Sequence, residues 1–387
     1  MRPSITKQAD AHIINPLQLK KSPRNYNPSI CEFNGRTWMA YRSHRVDLDG
    51  RCHIAICEMI NDVPKSNQWL ALGGSTGGEH HEDPRLFVFA GALHVAYSET
   101  TFPSGQPYIS RMKYARLTLQ KSWKVAEVFR PKYGNNLKPA SPGTMEKNWP
   151  FFESHGKLWA IYSASPHVLI QLVGDEVVDV KKTVGVSWPW GPIRGGTPPI
   201  KMPDGKWITF FHSSTGESTG TWRRYWMGAY LFNDNFEVVA VSSQPIAGGS
   251  EADDHGHDPR ERVSWKPFVV FPGGAVYDGK RFKIAVGVND WKIAIVNYAF
   301  SEADLCAVDA ARPSRFFKTQ TGQRPIKFNF IDDDPKWFEW NRVAMATGGA
   351  PGFAEVSDAY IAEELAMMDG VEEISKDDHA GFLKGKP

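Results

Sequence analysis

The chain has 387 residues, with 45 Lys and Arg against 43 Asp and Glu, a formal net charge of +2, and 41% hydrophobic positions. That length suits one large domain or roughly two or three ordinary ones, and the nearly cancelled charge offers no overall field for a nucleic-acid backbone or an anionic membrane surface. The longest apolar runs, at 268–271 and 293–296, fall far short of the roughly 20 residues a bilayer span needs, so a soluble protein is expected.

No apolar stretch follows the charges of the first ten residues, which argues against a secretory signal and for a cytoplasmic protein. Cys31, Cys52, Cys57 and Cys306 form no CxxC pair, so buried thiols are expected, not a zinc ribbon or a redox motif. Short apolar runs, rich in the 14 Trp and 22 Phe, are punctuated by turn residues drawn from 34 Gly and 27 Pro, as in an all-β chain. One unit recurs: a short strand, a polar or glycine turn, then a second alternating strand. Its first copy spans 29–42 and turns at Asn34-Gly35, a pair suited to a tight hairpin. Further copies span 85–98 with Ala90-Gly91, 149–163 with His155-Gly156, 199–212 with Asp204-Gly205, and 274–287 with Asp278-Gly279. The starts lie about 50 to 75 residues apart, room for each hairpin plus an outer pair of strands. The expected fold is an all-β, five-bladed β-propeller over 1–301, in which the beginnings of the innermost strands line one mouth of a central channel. Loops 99–107 and 248–265 are long enough to wall a site. Residues 302–387 break the repeat and are expected to form an extension packed on the propeller, with a short helix at 356–368 capped by Ser357 and stopped before Gly370, and a mobile end after Ser375.

Residues just ahead of each hairpin are unusually polar. They are Arg24, Asn25, Tyr26 and Asn27; then His80 through Arg85; then Glu146, Lys147, Asn148 and Trp149; then Arg194 to Pro199; then Phe271 to Gly274. The inner strands end in Arg42, Tyr97, Ser163, His212 and Asp290. A mouth with acids, cations, histidine and exposed indoles suits a sugar, whose hydroxyls need donors and acceptors and whose C–H faces need aromatic rings. For any single position the plainer reading is a strand-end cap satisfying loop backbone. Recurrence ahead of successive blades favours a site.

Glu82-Asp83-Pro84-Arg85, Glu146-Lys147-Asn148-Trp149, Arg194-Gly195-Gly196-Thr197-Pro198-Pro199, Tyr225 three before Gly228, and Phe271-Pro272-Gly273-Gly274 through Asn289-Asp290 occur in an order that resembles the β-mannoside phosphorylases and mannosidases of glycoside hydrolase family 130, over 27–298. The related mannosyltransferase-phosphorylases carry a similar set. The resemblance implies a five-bladed propeller and an inverting reaction at a β-mannoside, with mannose 1-phosphate as product or donor. It implies that Asp83 is the general acid, acting on the leaving oxygen through a hydroxyl of the bound sugar, a task that calls for a raised pKa. Pro84 and Arg85 then fix its loop. Asn27, Arg42, Arg85 and Asp290 correspond to substrate-binding positions, and Lys147, Asn148, Arg194, His212 and Tyr225 to the phosphate side. Where those phosphorylases commonly have Arg, this chain has Lys147, which keeps the charge but loses the bidentate fork, and Ser163, which loses the charge.

A phosphorolytic enzyme needs cations and donors for its co-substrate, inorganic phosphate, and no second carboxylate. An inverting hydrolase needs a base across the ring, for which Glu146 or Asp290 are the candidates. A non-catalytic glycan-binding propeller is a third reading, one that leaves Asp83 without a task. Residues 79–83 and 253–258 hold metal-ligand residue types, yet neither has the fixed spacing of a metalloprotease or calcium loop, and no metal or organic cofactor is expected. The glycines of 73–78 lack the Lys-Ser/Thr of a P-loop. The expected partners are an oligosaccharide or glycan substrate and inorganic phosphate, with no nucleic acid and no membrane; a homo-oligomer is left open.

Overall fold

The computed structural model describes residues 24–308 except 46–50, 74–77, 103, 105–107, 139–142, 187, 189, 216–223, 250–268 and 302–303, together with strand backbone at 4–5, 9–14, 315–319, 353–356 and 371–374. Two N-terminal strands, β1 (Ser4–Ile5) and β2 (Ala9–Ile14), precede the blades. Blade one comprises β3 (Arg24–Phe33), β4 (Arg36–Arg45), β5 (Arg51–Ile60) and β6 (Val63–Trp69). Blade two comprises β7 (His80–Phe89), β8 (Ala92–Thr101), β9 (Ile109–Leu119) and β10 (Trp123–Phe129); blade three, β11 (Phe151–Ser154), β12 (Lys157–Ala164), β13 (His167–Val173) and β14 (Glu176–Thr183). Blade four is built on β15 (Ile200–Lys201), β16 (Trp207–Thr215), β17 (Arg224–Phe232) and β18 (Val238–Ser242). After β19 (Ala247–Gly248), blade five follows as β20 (Val270–Tyr277), β21 (Phe282–Val288) and β22 (Lys292–Tyr298), and β2 supplies its fourth strand by pairing with β22.

The five inner hairpins turn where the sequence predicts. At three of them both turn residues have positive φ: Asn34 and Gly35 at 52° and 69°, Ala90 and Gly91 at 47° and 71°, His155 and Gly156 at 52° and 68°. That is the turn whose twist matches the strands it joins. Strand alternation then sends successive side chains to opposite neighbours: Leu86 packs with Trp38 and Ile56 of blade one, while Phe87 packs with Phe151 and Leu158 of blade three. Each pair of consecutive blades shares one such cluster, and the fifth, joining Ala285 and Ile295 to Ile30 and Met39, unites blade five with blade one. The ring is thus closed by packing as well as by β2.

Blade four departs from the expected four strands. β18 pairs only with Tyr230–Phe232 at the far end of β17, which leaves Trp226 and Met227 for β19; β1 pairs with β19 in turn, and β23 (Leu305–Ala307) adds to β18. The C-terminal helix expectation is corrected at its first residue. Val356 ends β25 (Phe353–Val356), which pairs with β24 (Arg315–Thr319) in a sheet that also contains β26 (Val371–Ile374). A β-branched residue opposite Arg315 serves the ladder better than a helix start. Residues 357–368, the tail after Ser375, and most of loop 248–265 with its Asp/His cluster lie outside the described residues. Among the described residues no helix is long and apolar enough to cross a membrane.

Candidate active site

The polar residues that open each blade are aimed by backbone irregularities. The β3–β4 ladder skips from Tyr26 to Ser29 and the β7–β8 ladder from Glu82 to Arg85, so Asn27-Pro28 and Asp83-Pro84 are equivalent bulges on adjacent blades. Asn27 and Asp83 have φ of 46° and 53°, and Asn148, which leads into blade three, has 65°. Asn and Asp tolerate this left-handed region better than other residues with a Cβ, and a bulge of this kind re-aims a side chain.

Asn27 and Asp83 meet. The Asn27 amide donates from Nδ2 to Asp83 Oδ1 at 2.9 Å and to Asp290 Oδ1 at 3.3 Å. Arg42 NH1 lies 3.6 Å from the same Asp83 oxygen. Both of these contacts fall on Oδ1 of Asp83. Burial pushes the Asp290 carboxyl upward; Arg42 opposes this, and the nearby charge of Asp83 adds to the rise.

Glu82, which shares the Arg42 guanidinium with Asp83, is the charge hub. It is 3% exposed, and Arg42 donates to its Oε1 at 2.5 Å, while Lys147 and Thr100 donate to Oε2 at 3.1 and 3.3 Å. Burial alone would raise its pKa, yet Arg42 and then Lys147 outweigh burial and hold it down at about 2. Lys147 is correspondingly shifted upward, Glu82 overcoming the burial that would lower it. The sequence reading did not assign Glu82 a role, and it placed Lys147 on the phosphate side; the structure commits that ammonium to Glu82.

Arg85 fixes the Asp83 loop as expected, but not as a sugar contact. It is wholly buried, and four of its donors go to Gly196 O at 2.6 Å, Asp83 O and Asn148 Oδ1 at 3.0 Å each, and Gly195 O at 3.1 Å. It is therefore a tie joining blades two, three and four beneath the acid rather than a sugar contact. Burial, only partly offset by the Asp83 charge, lowers its pKa to about 10. Trp149, one candidate for an exposed indole, is 1% exposed and packs between blades two and three.

Arg194, His212 and Tyr225 come together on blade four. Arg194 N donates to His212 O at 2.8 Å, His212 N returns to Arg194 O at 3.3 Å, and the His212 ring stacks 15° from parallel on Tyr225 at 5.9 Å. Phe271, 4.6 Å from His212 and 5.4 Å from the Arg85 guanidinium carbon, links this group to the acid side. Burial, with Arg194 and Arg85 nearby, keeps His212 neutral, and its Nδ1 has no hydrogen-bond partner among the described residues. The Arg194 side chain has no acidic partner among the described residues. All ten sequence-assigned positions thus lie around one mouth, with Lys147 paired to Glu82 and Arg85 holding the Asp83 loop without facing the ligand.

Two further features bear on the chemistry. Glu146 is buried, with Oε1 accepting from Asn135 N at 2.6 Å and Tyr162 at 3.4 Å, so it is pinned to the loop between blades two and three. Cys52, His80 and Glu82 bring potential metal-ligand atoms within 4.8 Å of one another. Glu82 is already neutralised by two cations, which would repel a divalent ion placed there.

Residues 1–304 match glycoside hydrolase family 130 under the description beta-1,4-mannooligosaccharide phosphorylase. The chain belongs to this family. No curated protein sequence matches it significantly. Among solved structures, a family 130 enzyme reported with glycoside hydrolases that target beta-1,2 mannosidic linkages in Candida mannan is similar at 15% identity and a TM-score of 0.54, over 80% of this chain and 98% of that one. A provisionally assigned glycoside hydrolase of Parabacteroides distasonis gives 13% identity and 0.54, over 78% and 96%. The beta-1,2-mannobiose phosphorylase of Listeria innocua gives 17% and 0.46, over 75% and 93%. At these identities the likeness is one of fold. Family 130 contains mannoside phosphorylases and hydrolases, and the chain is an enzyme of that kind.

Proposed function

We propose that this family 130 enzyme cleaves β-mannosidic bonds by inverting phosphorolysis, with inorganic phosphate as co-substrate and mannose 1-phosphate as product, or runs the same reaction in reverse. The carrying observation is Arg194, a cation without an acidic partner among the described residues, set beside a neutral His212 and Tyr225 and across the mouth from Asn27, Arg42 and Asp290. A phosphate oxygen attacks the anomeric carbon as the glycosidic C–O bond breaks, and the leaving oxygen takes up the proton that Asp83 supplies. Arg194 balances the charge of the dianion.

The two candidate bases for hydrolysis are badly placed. Glu146 is held by Asn135 and Tyr162. Asp290 and Asp83 accept from one amide nitrogen at 3.3 and 2.9 Å, which keeps those oxygens within about 6 Å, on one side of the site and below the roughly 6.5 to 9.5 Å of an inverting pair. One observation favours hydrolysis as the second reading: Lys147 is spent on Glu82, and Ser163 brings no charge. Incubation of the protein with β-linked manno-oligosaccharides, with and without phosphate, decides between them. Phosphate-dependent release of mannose 1-phosphate is expected; free mannose at an equal rate in both would overturn phosphorolysis.

A further inference from the structure

Phe102 is an exposed aromatic at this mouth. It is 57% exposed, yet it is not loose: its ring stands edge-on to His80 at 4.7 Å and lies 5.7 Å from Tyr108. His80 Nδ1 in turn accepts from Cys52 N at 3.3 Å, and Tyr108 carries the Lys147 ammonium 5.1 Å from its ring centroid. The ladder of blade two pairs His80 with Thr100, so Phe102, two residues further on, is at the same mouth as Asp83. A large apolar ring fixed on two sides and open on a third presents a surface at low entropic cost.

The position within the mouth identifies its occupant. An inverting displacement keeps nucleophile and leaving group on opposite sides of the anomeric carbon. Arg194, His212 and Tyr225 place the nucleophile against blade four; Phe102 stands on the rim of blade two, reached from Asp83 through Glu82, Lys147 and Tyr108. We propose that Phe102 is the stacking platform for the sugar on the leaving-group side of the scissile bond, so that it sets preference among acceptor saccharides while leaving the mannosyl and phosphate subsites untouched. This rests on the phosphorolytic reading and extends it to the recognition of the aglycone.

The test is calorimetric binding to an Asp83→Asn protein, with mannose, β-1,2- and β-1,4-mannobiose, and inorganic phosphate as separate probes. Adding Phe102→Ala should weaken the preferred disaccharide by about tenfold, the scale of re-exposing one sugar face and one ring face, with mannose and phosphate affinities unchanged. Phe102→Tyr should restore the disaccharide. Equal disaccharide binding by Phe102→Ala, or a parallel loss of mannose, would overturn the platform while leaving the function standing. If the Asp83→Asn parent itself binds no mannobiose, both readings fall, and the parent titration alone reveals it.

Discussion

Replacing Glu82 by Gln removes one charge from a buried triad and leaves Arg42 and Lys147 facing a neutral amide. The magnitude follows from the carboxyl's acidity, about 2 against an ordinary 4.5. Each tenfold change in proton affinity is worth about 1.4 kcal/mol, so the two ion pairs contribute about 3 kcal/mol to the folded state at neutral pH. Breaking buried ion pairs by removing one partner costs about 3 to 5 kcal/mol in general, the same scale. Because the folded-state pKa is depressed, this stability is complete above the unfolded value and is lost as the pH falls through 4.5 toward 2. Urea unfolding of the wild type and Glu82→Gln, repeated from neutral pH down to about pH 3, should show a gap of about 3 kcal/mol that narrows below about pH 4.5. A gap smaller than about 0.5 kcal/mol at neutral pH, or one that does not change with acidification, would refute the assignment of Glu82 as the charge hub.

Asp290 has the opposite linkage. Its folded carboxyl is raised by burial and by Asp83, so the stability it permits at low pH is lost as the pH rises through its folded value. Asp290→Asn should therefore melt higher than the wild type at neutral pH, converge with it in acid, and bind mannosides poorly; a lower melting temperature at neutral pH would contradict this. Gly287→Ala would put a Cβ 2.0 Å from Asn27 Oδ1 and 2.9 Å from Asn27 N, forcing the bridging amide to move. A drop in kcat/KM of at least about tenfold is expected from such a displacement, and an unchanged value would show that Asn27 does not position Asp83. Arg194→Ala should weaken phosphate binding by roughly ten- to a hundredfold, the worth of about 1.5 to 3 kcal/mol for a hydrogen bond to a charged group, with mannoside affinity preserved. Equal loss of both ligands would remove Arg194 from the phosphate side.

The inner hairpins were legible because their turns are local chemistry: Asn34-Gly35 carries its geometry in two adjacent residues. The position of the site was legible for a related reason, since residues that open each innermost strand must share a mouth once the strands are arranged radially. What escaped was long-range. Nothing near Ala9 or Ile14 announces that β2 will pair with β22 at the other end of the propeller. Glu82 sits beside Asp83 in the motif, yet its role depends on Arg42 and Lys147, 40 and 65 residues away. The 356–368 segment has a helical pattern, and the pairing of Val356 with Arg315 that overrides its first residue is again distant in sequence.

The repeat itself explains how the acid acquires its orienting partner. Five blades bring five strand openings to one mouth, and three of these carry Asn or Asp in the left-handed region: Asn27, Asp83 and Asn148. The other two carry glycine, and space decides why. A Cβ on Gly195 would lie 2.0 Å from Asn148 O, and one on Gly273 would lie 2.3 Å from Pro28 O. The glycine blades let the floor of the channel close around its neighbours' backbone, while the Asn and Asp blades turn polar side chains toward one another across it. Asn27 and Asp83 are thus the same structural position on successive blades, one filled by an amide and the other by a carboxyl, and their 2.9 Å hydrogen bond follows from adjacency in the ring. A second copy of the same bulge supplies the donor that fixes the first copy's acid. Asn27→Asp tests this: it would replace the donor by a third carboxyl against Asp83 and Asp290, make the group harder to deprotonate, and shift the alkaline limb of the rate profile, where the general acid loses its proton, toward higher pH. An unmoved alkaline limb would mean that Asp83 is set by Arg42 alone.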